Sequence, residues 1–295
     1  MNQLPRIVVT GAAGFIGRRV VARLAVGMDV IALDRAPDPG GWPAGVEYRQ
    51  VDLDREVPAF GGSWHLVHLA WSLDRGDPDA QREAQRTFAR LLEQRGLTHV
   101  VGLGSAEEYG EREGRLREDM APGAKLSAYG QAKHAAGKAL EDWARGAGRK
   151  AVWLRPFVVY GPGQGGNMAI PSALRCARER TPGDFSEGLQ FRDFVHVDDV
   201  ADGIAAAALG LSDMAPAFAV CNLGRGEPVR LRDVLERMAR NMDARELFRF
   251  GARPMRPGEP QEQYADPSAA ADLFGWRARI PWDSGIDALC RGAVR

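Results

Sequence analysis

The chain of 295 residues is poor in the residues that build disulfide frameworks and metal sites. Its three cysteines, Cys176, Cys221 and Cys290, lie far apart with no CxxC spacing, a distribution typical of reduced thiols rather than structural disulfides. Among its five histidines, His65 and His68 come nearest to a ligand pair, but strand alternation in "HLVHLA" sends positions i and i+3 to opposite faces. We therefore expect no disulfide and no bound metal.

The chain also lacks an excess of either charge, since 39 basic residues balance 39 acidic ones. Without a basic surplus or a Lys/Arg run it has no electrostatic footprint for nucleic acid or an anionic membrane. The start "MNQLPRIVVTGAAG" does not have the pattern of a secretory signal, and no apolar run approaches the length that spans a bilayer. We expect a cytoplasmic protein with a small-molecule partner, and neither nucleic acid nor a membrane as partner.

Short apolar runs rich in valine and isoleucine fill the first half of the chain. They read "RIVVT", "DVIALD", "HLVHLA", "HVVGLGS" and "KAVWLRP", and longer amphipathic stretches such as "AQREAQRTFARLLEQRG" separate them. Continuous apolar strands between helices predict a parallel sheet covered on both faces, which is a doubly wound α/β fold. The second half predicts a smaller lobe over the open end of this sheet, with "GARPMRPGEPQEQYADPSAA" as a long loop.

A glycine trio lies between the first predicted strand and the first helix. In "VVTGAAGFIGRR", Gly11 permits a tight turn, Gly14 lets a pyrophosphate approach the backbone, and Gly17 lets helix and strand pack closely. The helix that starts beside Phe15 and Ile16 then offers free N–H groups to the phosphates. No lysine stands where a P-loop requires one, which disfavours an ATPase or GTPase.

Carboxylates at the ends of the next two strands complete the pattern of a dinucleotide site. Asp34, about twenty residues beyond the glycines, is placed to accept hydrogen bonds from a ribose diol and to repel a 2′-phosphate, which favours NAD. Arg35 follows directly and would pair with a 2′-phosphate if Asp34 turned aside, so NADP stays possible. Asp52, at the end of the third strand, would either reach the adenine amino group or simply end the strand.

The pair Tyr129 and Lys133 in "SAYGQAK" shares one helix face, because four residues advance about 6 Å and nearly complete a turn. With "TGAAGFIG", "HLA" at 68–70, "GSAEEYG" at 104–110, "LRPFVVYGPGQ" at 154–164 and "RDFVHVDDVA" at 192–201, this pair makes a set in characteristic order and spacing. The chain resembles the extended short-chain dehydrogenase/reductases, and within them the NAD-dependent epimerase/dehydratase family that acts on nucleotide sugars. The resemblance covers nearly the whole chain.

The resemblance implies a catalytic set of Ser105, Tyr129 and Lys133. Tyr129 would be the acid or base, Lys133 would bind the nicotinamide ribose and lower the pKa of Tyr129, and Ser105 would hold the reacting sugar oxygen. The physics agrees, since a phenol of pKa near 10 becomes a usable base at neutral pH only beside positive charge.

The implied activity is hydride transfer at a sugar carbon, most commonly C4, by a nucleotide-sugar epimerase or 4-ketoreductase with NAD, or NADP, as cofactor. A 4,6-dehydratase is an alternative, but Ala106 stands where that branch has an acid, although Glu107 is retained. The rival of another class is a non-catalytic NAD(P)-sensing or interaction protein. A hydrolase is remote, since Leu103 breaks the Gly-x-Ser-x-Gly elbow.

The resemblance also implies where each ligand lies. Residues 1–161, with returning segments near 194–221, would form the Rossmann NAD(P)-binding domain, and 162–295, mainly 162–193 and 222–295, the substrate lobe. The cofactor would contact Gly11, Gly14, Phe15, Ile16, Gly17, Asp34, Arg35, Asp52, Leu53, Leu69, Ala70, Tyr129, Lys133, Pro156 and Phe157. The nucleotide sugar would contact Trp71, Ala106, Glu107, Val158, Arg192 and Arg256, the two arginines through its diphosphate.

Two of these positions depart from the family pattern and leave the sugar undefined. Val158 replaces an asparagine found in many relatives, and Trp71 replaces a small residue and would either narrow the pocket or pack under a shortened loop. We also expect a homodimer, formed through the helix that carries Tyr129 and the helix before it.

Overall fold

The structure is a computed structural model that describes residues 6–256 and 258–293. In chain order its strands are β1 Arg6–Thr10, β2 Val30–Asp34, β3 Val46–Gln50, β4 Trp64–His68, β5 Leu97–Leu103, β6 Gly114–Leu116, β7 Lys150–Pro156, β8 Val158–Tyr160, β9 Gly183–Phe185, β10 Phe191–Arg192, β11 Phe194–His196, β12 Phe218–Leu223, β13 Val229–Arg230, β14 Phe248–Phe250 and β15 Glu262–Ala265. Its α-helices are α1 Gly17–Leu24, α2 Pro78–Leu92, α3 Ala128–Ala144, α4 Ala169–Glu179, α5 Val197–Gly210, α6 Leu231–Asn241, α7 Ser268–Phe274 and α8 Trp282–Ala293. Short 3-10 helices span Ala106–Tyr109, Leu211–Asp213 and Arg245–Leu247.

The five apolar runs become β1, β2, β4, β5 and β7 of a seven-stranded sheet. Its order is β3-β2-β1-β4-β5-β7-β12, and every neighbouring pair is parallel. Strand order reverses between β1 and β4, so a crevice opens at their carboxyl ends, where ligands of such sheets bind. The predicted doubly wound α/β fold is confirmed.

Both faces of the sheet are covered because side chains alternate along each strand. Val9 on β1 packs with residues of α1 and α5 on one face, whereas Val8 packs with residues of α2 and α3 on the other. The helices begin where their caps allow: the Asp77 side chain accepts a hydrogen bond at the start of α2, and the Ser127 side chain accepts one from Gly130 at the start of α3.

The second half of the chain adds a separate apolar cluster that holds α4, α6 and α8 together. A four-stranded sheet of order β13-β10-β15-β6 lies in this part, along with the parallel pairs β8–β11 and β9–β14. Strand β12 instead returns to the main sheet beside β7. The domain boundaries given above stay a prediction.

The interpretation of residues 251–270 as one long loop was wrong. Apart from residue 257, which lies outside the described residues, this segment contains β15 and the start of α7. Strand β15 exists because it pairs with both β10 and β6, partners distant in sequence that no local pattern reveals. Within residues 6–256 and 258–293, no helix combines the length and apolar character needed to cross a membrane.

Candidate active site

The glycine turn after β1 is shaped so that only glycine fits at two positions. Gly11 has φ +68°, and a Cβ there would lie 2.7 Å from the backbone nitrogen of Ala70. A Cβ on Gly17 would overlap the carbonyl oxygen of Gly11. The turn therefore brings the start of α1 directly against the ends of β1 and β4.

The start of α1 presents unused donors to the crevice. In the described part of the chain, the backbone N–H groups of Phe15, Ile16 and Gly17 have no protein acceptor, and no side chain caps the helix at Ile16. Free N–H groups and the positive end of the helix dipole attract anions. The turn thus fits a diphosphate, as the glycine spacing predicts.

Asp34 is fixed at the rim of this turn. One of its carboxylate oxygens accepts from the Ala13 N–H at 2.9 Å and the other from the Ala36 N–H at 3.0 Å. The carboxylate thus faces the turn, in the place where a ribose diol would meet it. Arg35 is exposed to solvent.

Asp52 does not end the third strand, because β3 stops at Gln50. It lies two residues further on, where its carboxylate accepts from the Asp54 N–H at 3.2 Å and pairs with Arg55 at 3.2 Å. Leu53 beside it is buried. The Asp52 carboxylate therefore caps the turn that follows β3, and its predicted adenine contact stays a prediction.

The three predicted catalytic residues meet at the carboxyl end of β5. Ser105 follows the end of β5 by two residues, and Tyr129 and Lys133 lie in the first two turns of α3. The Lys133 Nζ donates a hydrogen bond of 2.6 Å to the carbonyl oxygen of Leu103. Leu69 and Ala70, at the end of β4, lie between this set and Gly11, since the Leu69 N–H donates to the Thr10 carbonyl oxygen.

Lys133 occupies an apolar cage. Its side chain is 3% exposed, and its Nζ lies 3.7 Å from the ring centroid of Trp71. Trp71 is held in turn by a 2.8 Å hydrogen bond from its indole nitrogen to Gln81. Burial lowers the pKa of Lys133 from 10.5 to about 7, which the nearby charge of Glu108 opposes.

Tyr129 is buried as well, and burial raises its pKa to about 12. The Arg75 guanidinium, 4.5 Å from the ring centroid of Tyr129, lowers this pKa, whereas Glu107 and Glu108 raise it. The resemblance predicts that Lys133 lowers the pKa of Tyr129, but here the pKa is raised, and the cation that opposes the rise is Arg75. The reason is that the phenol has lost its contact with water while Lys133 points to Leu103.

Sequence reasoning missed Arg75 and Glu108. Arg75 pairs with Glu107 at 2.6 Å and lies over Tyr129, but nothing in "SLDRGDP" separates it from any other loop arginine. Glu108 had a usable signal, since Ser105 and Glu108 have the Ser-x-x-Glu spacing of a capping box.

The predicted substrate residues divide into two groups. Ala106 and Glu107 lie in the 3-10 helix after Ser105, and Glu107 accepts a 2.9 Å hydrogen bond from the Ser127 hydroxyl, so it is not a freely solvated carboxylate. Val158 begins β8, directly after the predicted cofactor contacts Pro156, which ends β7, and Phe157; all three are buried or half-buried around this end of the sheet.

The two predicted phosphate-binding arginines lie in the second half of the chain. Arg192 on β10 donates to Glu259 at 3.0 Å and to the Pro260 carbonyl oxygen at 2.8 Å. Arg256 is exposed, and its carbonyl oxygen accepts from the Glu259 N–H at 3.1 Å. The structure therefore places Arg192 against the turn that carries Arg256.

Comparisons with known proteins identify the family and the fold of this chain. The model of a family described as "NAD dependent epimerase/dehydratase family" matches residues 7–224. A UDP-glucose 4-epimerase from Azospirillum brasilense is 27% identical, with 98% of this chain and 91% of that protein covered. A dTDP-6-deoxy-L-talose 4-dehydrogenase (NAD(P)(+)) from Kitasatospora kifunensis is 30% identical, with 93% and 91% covered. The solved structure of MoeE5 in complex with UDP-glucose and NAD superposes with a TM-score of 0.85 and 30% identity, over 98% of this chain and 100% of that one.

Proposed function

We propose that this chain, which belongs to the NAD-dependent epimerase/dehydratase family, is a nucleotide-sugar 4-epimerase or 4-ketoreductase. The observation that carries the proposal is the convergence of Ser105, Tyr129 and Lys133 at the carboxyl end of β5, separated by strand β4 from the glycine turn that follows β1. A site of this kind places a sugar carbon between a phenol and a dinucleotide.

The residues of the turn fit NAD as the cofactor. Gly11 and Gly17 permit the tight turn that brings the start of α1 to the crevice, the start of α1 supplies free N–H donors, and Asp34 presents its carboxylate at the rim. The fixed Asp34 disfavours a 2′-phosphate, so NAD is favoured over NADP. When bound, the nicotinamide supplies the acceptor and donor of hydride.

The chain's own residues handle the proton and the sugar oxygen. Tyr129 takes the proton from the C4 hydroxyl during oxidation and returns one during reduction. Ser105 holds the same oxygen by a hydrogen bond, and Lys133 orients the cofactor ribose. Burial of Tyr129 and Lys133 keeps water from competing for these contacts.

Substrate contacts follow from the second half of the chain. Arg192 and Arg256 would donate charge-assisted hydrogen bonds to the diphosphate. For this, Arg192 would either give up its hydrogen bond to Glu259 or keep it and bind the diphosphate as well. Trp71 limits the space above Lys133, and Val158 offers no polar group. The base and the sugar are therefore best sought by experiment among UDP- and dTDP-hexoses, the nucleotides that the relatives' names carry.

The similarity to the Kitasatospora kifunensis dehydrogenase is the observation that favours the ketoreductase as second candidate. An epimerase keeps its NAD and changes the C4 configuration with no net redox change, whereas a ketoreductase consumes one reduced cofactor for each keto-sugar. A 4,6-dehydratase has less support, because Ala106 supplies no acid for the leaving hydroxyl. Residence in the cytoplasm and a homodimer formed through α2 and α3 stay predictions.

The test is to incubate the purified protein with UDP- and dTDP-hexoses and their 4-keto forms, and to follow both C4 configuration and cofactor absorbance. We expect turnover that falls at least about a thousandfold in Tyr129→Phe. Tyr264→Phe, on β15 in the second half of the chain, is the matched control and should keep full activity. Wild-type turnover in Tyr129→Phe would contradict the mechanism. Binding of NAD without hydride exchange on any of these compounds would instead favour the non-catalytic sensing protein.

A further inference from the structure

A buried carboxylate lies behind the three catalytic residues. Glu108 is only 1% exposed, yet it is bound by donors from two different parts of the fold. One oxygen accepts from the Ser105 N–H at 2.9 Å and from the Trp153 indole nitrogen at 2.9 Å, and the other accepts from the Arg155 guanidinium at 3.0 Å. Such a group is costly to bury unless its hydrogen bonds are made, and here they are.

The fold makes room for this arrangement with glycines. A Cβ on Gly102 would lie 2.5 Å from the ring of Trp153, and one on Gly137 would lie 3.0 Å from its indole nitrogen. A Cβ on Gly104 would overlap the Glu108 carboxylate itself. Strand β5 and helix α3 therefore leave a space in which Trp153 can reach Glu108.

The contact with Ser105 links the carboxylate to the reacting oxygen. Glu108 holds the backbone N–H of Ser105, while the Ser105 Oγ accepts from the Glu107 N–H at 3.2 Å. These reciprocal bonds fix the turn that presents the serine hydroxyl.

The charge of Glu108 also acts on both other members of the set. It raises the pKa of Lys133 and the pKa of Tyr129, whereas Arg75 lowers both. Arg155 pairs with Glu108 from the far side, but the carboxylate still favours protonation of both catalytic groups.

We propose that Glu108 is a positioning residue of this active site, which fixes Ser105 and provides the buried negative charge behind Lys133 and Tyr129. The inference rests on the proposed hydride-transfer function for its kinetic consequences. Its structural part, a carboxylate that sets the ionisation of two buried neighbours, is independent of the substrate.

Other titratable or charged groups also face this region, and none of them is substituted in the experiment. From α3 they are Tyr129, Lys133 and His134; from the strands and their following loops they are His68, Arg75, Glu107, Tyr109, Glu118 and Arg155. Because none of them is changed when Glu108 is neutralised, a shift in the pH response reports the charge of Glu108.

The test is the pH profile of turnover for Glu108→Gln, which keeps the shape and removes the charge. Loss of a negative charge eases deprotonation of both Lys133 and Tyr129, so both limbs of the profile should move to lower pH, by about one unit. The matched control is Glu141→Gln, the same change at a half-buried glutamate near the other end of α3, which should leave the profile in place. A uniform loss of rate with unmoved limbs would overturn the proposal, since it would show a purely structural role.

A second variant covers the case in which Glu108→Gln folds poorly. Glu108→Asp keeps the charge but shortens the side chain, so it should keep the limbs within about 0.3 unit while kcat falls about tenfold or more as Ser105 loosens. If the limbs of the pH profile moved in Glu108→Asp by as much as the shift expected for Glu108→Gln, the proposal would be overturned.

A titration without substrate separates this inference from the proposed function. The phenolate absorbance of Tyr129, identified as the signal lost in Tyr129→Phe, should appear at lower pH in Glu108→Gln than in the wild type. This result would stand even if no sugar is turned over, and an unchanged titration would overturn the proposal even in an active enzyme.

Discussion

Replacement of Lys133 by methionine is expected to stabilise the cofactor-free chain at neutral pH. The Lys133 Nζ donates a hydrogen bond to the Leu103 carbonyl oxygen inside a cage formed by Trp71, Tyr129 and Trp153. Burial lowers its pKa from 10.5 to about 7. In the unfolded chain the pKa of this lysine returns to 10.5. Because the unfolded chain then binds the proton more tightly than the folded chain does, burial of Lys133 lowers the free energy of unfolding below that pH.

The sign and size follow from these two pKa values of Lys133. Between them the folded chain binds fewer protons than the unfolded chain, so wild-type stability rises with pH by about 1.4 kcal/mol per unit. The cost of burying this lysine is therefore about 4 kcal/mol at pH 7 and about 1 kcal/mol at pH 10. Methionine removes that cost but leaves the Leu103 carbonyl oxygen without its donor, which costs about 1 kcal/mol. The net gain is about 3 kcal/mol at pH 7 and about zero at pH 10.

The assay is urea unfolding of cofactor-free protein across this pH range, for Lys133→Met and for Lys138→Met. Lys138 lies on the same helix but is exposed and paired with Glu141, so its replacement should change stability by less than about 0.5 kcal/mol, with little pH dependence. Activity should vanish in Lys133→Met alone. A Lys133→Met chain less stable than the wild type at pH 7, or a stability difference that does not shrink on going to pH 10, would refute the reasoning.

Three further changes test other parts of the site. Gly11→Ala should weaken NAD binding, measured by calorimetry, by about tenfold or more. The reason is that alanine is strained at φ +68° and its Cβ would clash with the backbone of Ala70. Equal affinity for NAD would contradict the proposed turn. Asp34→Asn should raise the ratio of kcat/KM for NADP to kcat/KM for NAD by about tenfold or more, because it removes the charge that repels a 2′-phosphate. An unchanged ratio would show that Asp34 does not face the ribose. Arg75→Met should move the titration of Tyr129 to higher pH, since the Arg75 guanidinium lowers the pKa of Tyr129. Arg82→Met, on the exposed side of α2, should leave this titration unchanged. A shift to lower pH in Arg75→Met would be inconsistent with the proposed role of Arg75.

The fold was largely predictable because its signals are local. Five valine-rich runs became parallel strands of the main sheet, and the glycine trio marked the turn between β1 and α1. Strand β15 was missed, because Glu262–Ala265 contains one buried residue and is a strand only through its partners β6 and β10. A strand stabilised by distant pairing leaves little trace in its own composition.

The candidate site was predictable to the extent that one helix or one turn defines it. Tyr129 and Lys133 lie one helical turn apart, so their spacing alone brings them together. Arg75 reaches Tyr129 from a loop more than fifty residues away, and Glu108 meets Arg155 across two strand ends. Those contacts depend on the folded path of the chain, and so does the direction of the Tyr129 pKa, which burial rather than spacing decides.

The balance of charge around Tyr129 bears on how one phenol would serve both halves of the proposed epimerisation. Burial and the carboxylates of Glu107 and Glu108 raise its pKa to about 12, against the charge of Arg75 and a hydrogen bond with Ser105, which both lower it. Lys133, whose pKa is about 7, is only partly charged at neutral pH. The chain alone therefore keeps Tyr129 protonated, ready to give a proton to a sugar oxygen during reduction. Oxidation would need the phenolate, and therefore an added positive charge beside the ring, which an oxidised nicotinamide would supply. In the proposed epimerase, Tyr129 would then take a proton only during oxidation and return it during reduction, as an internal epimerisation would require.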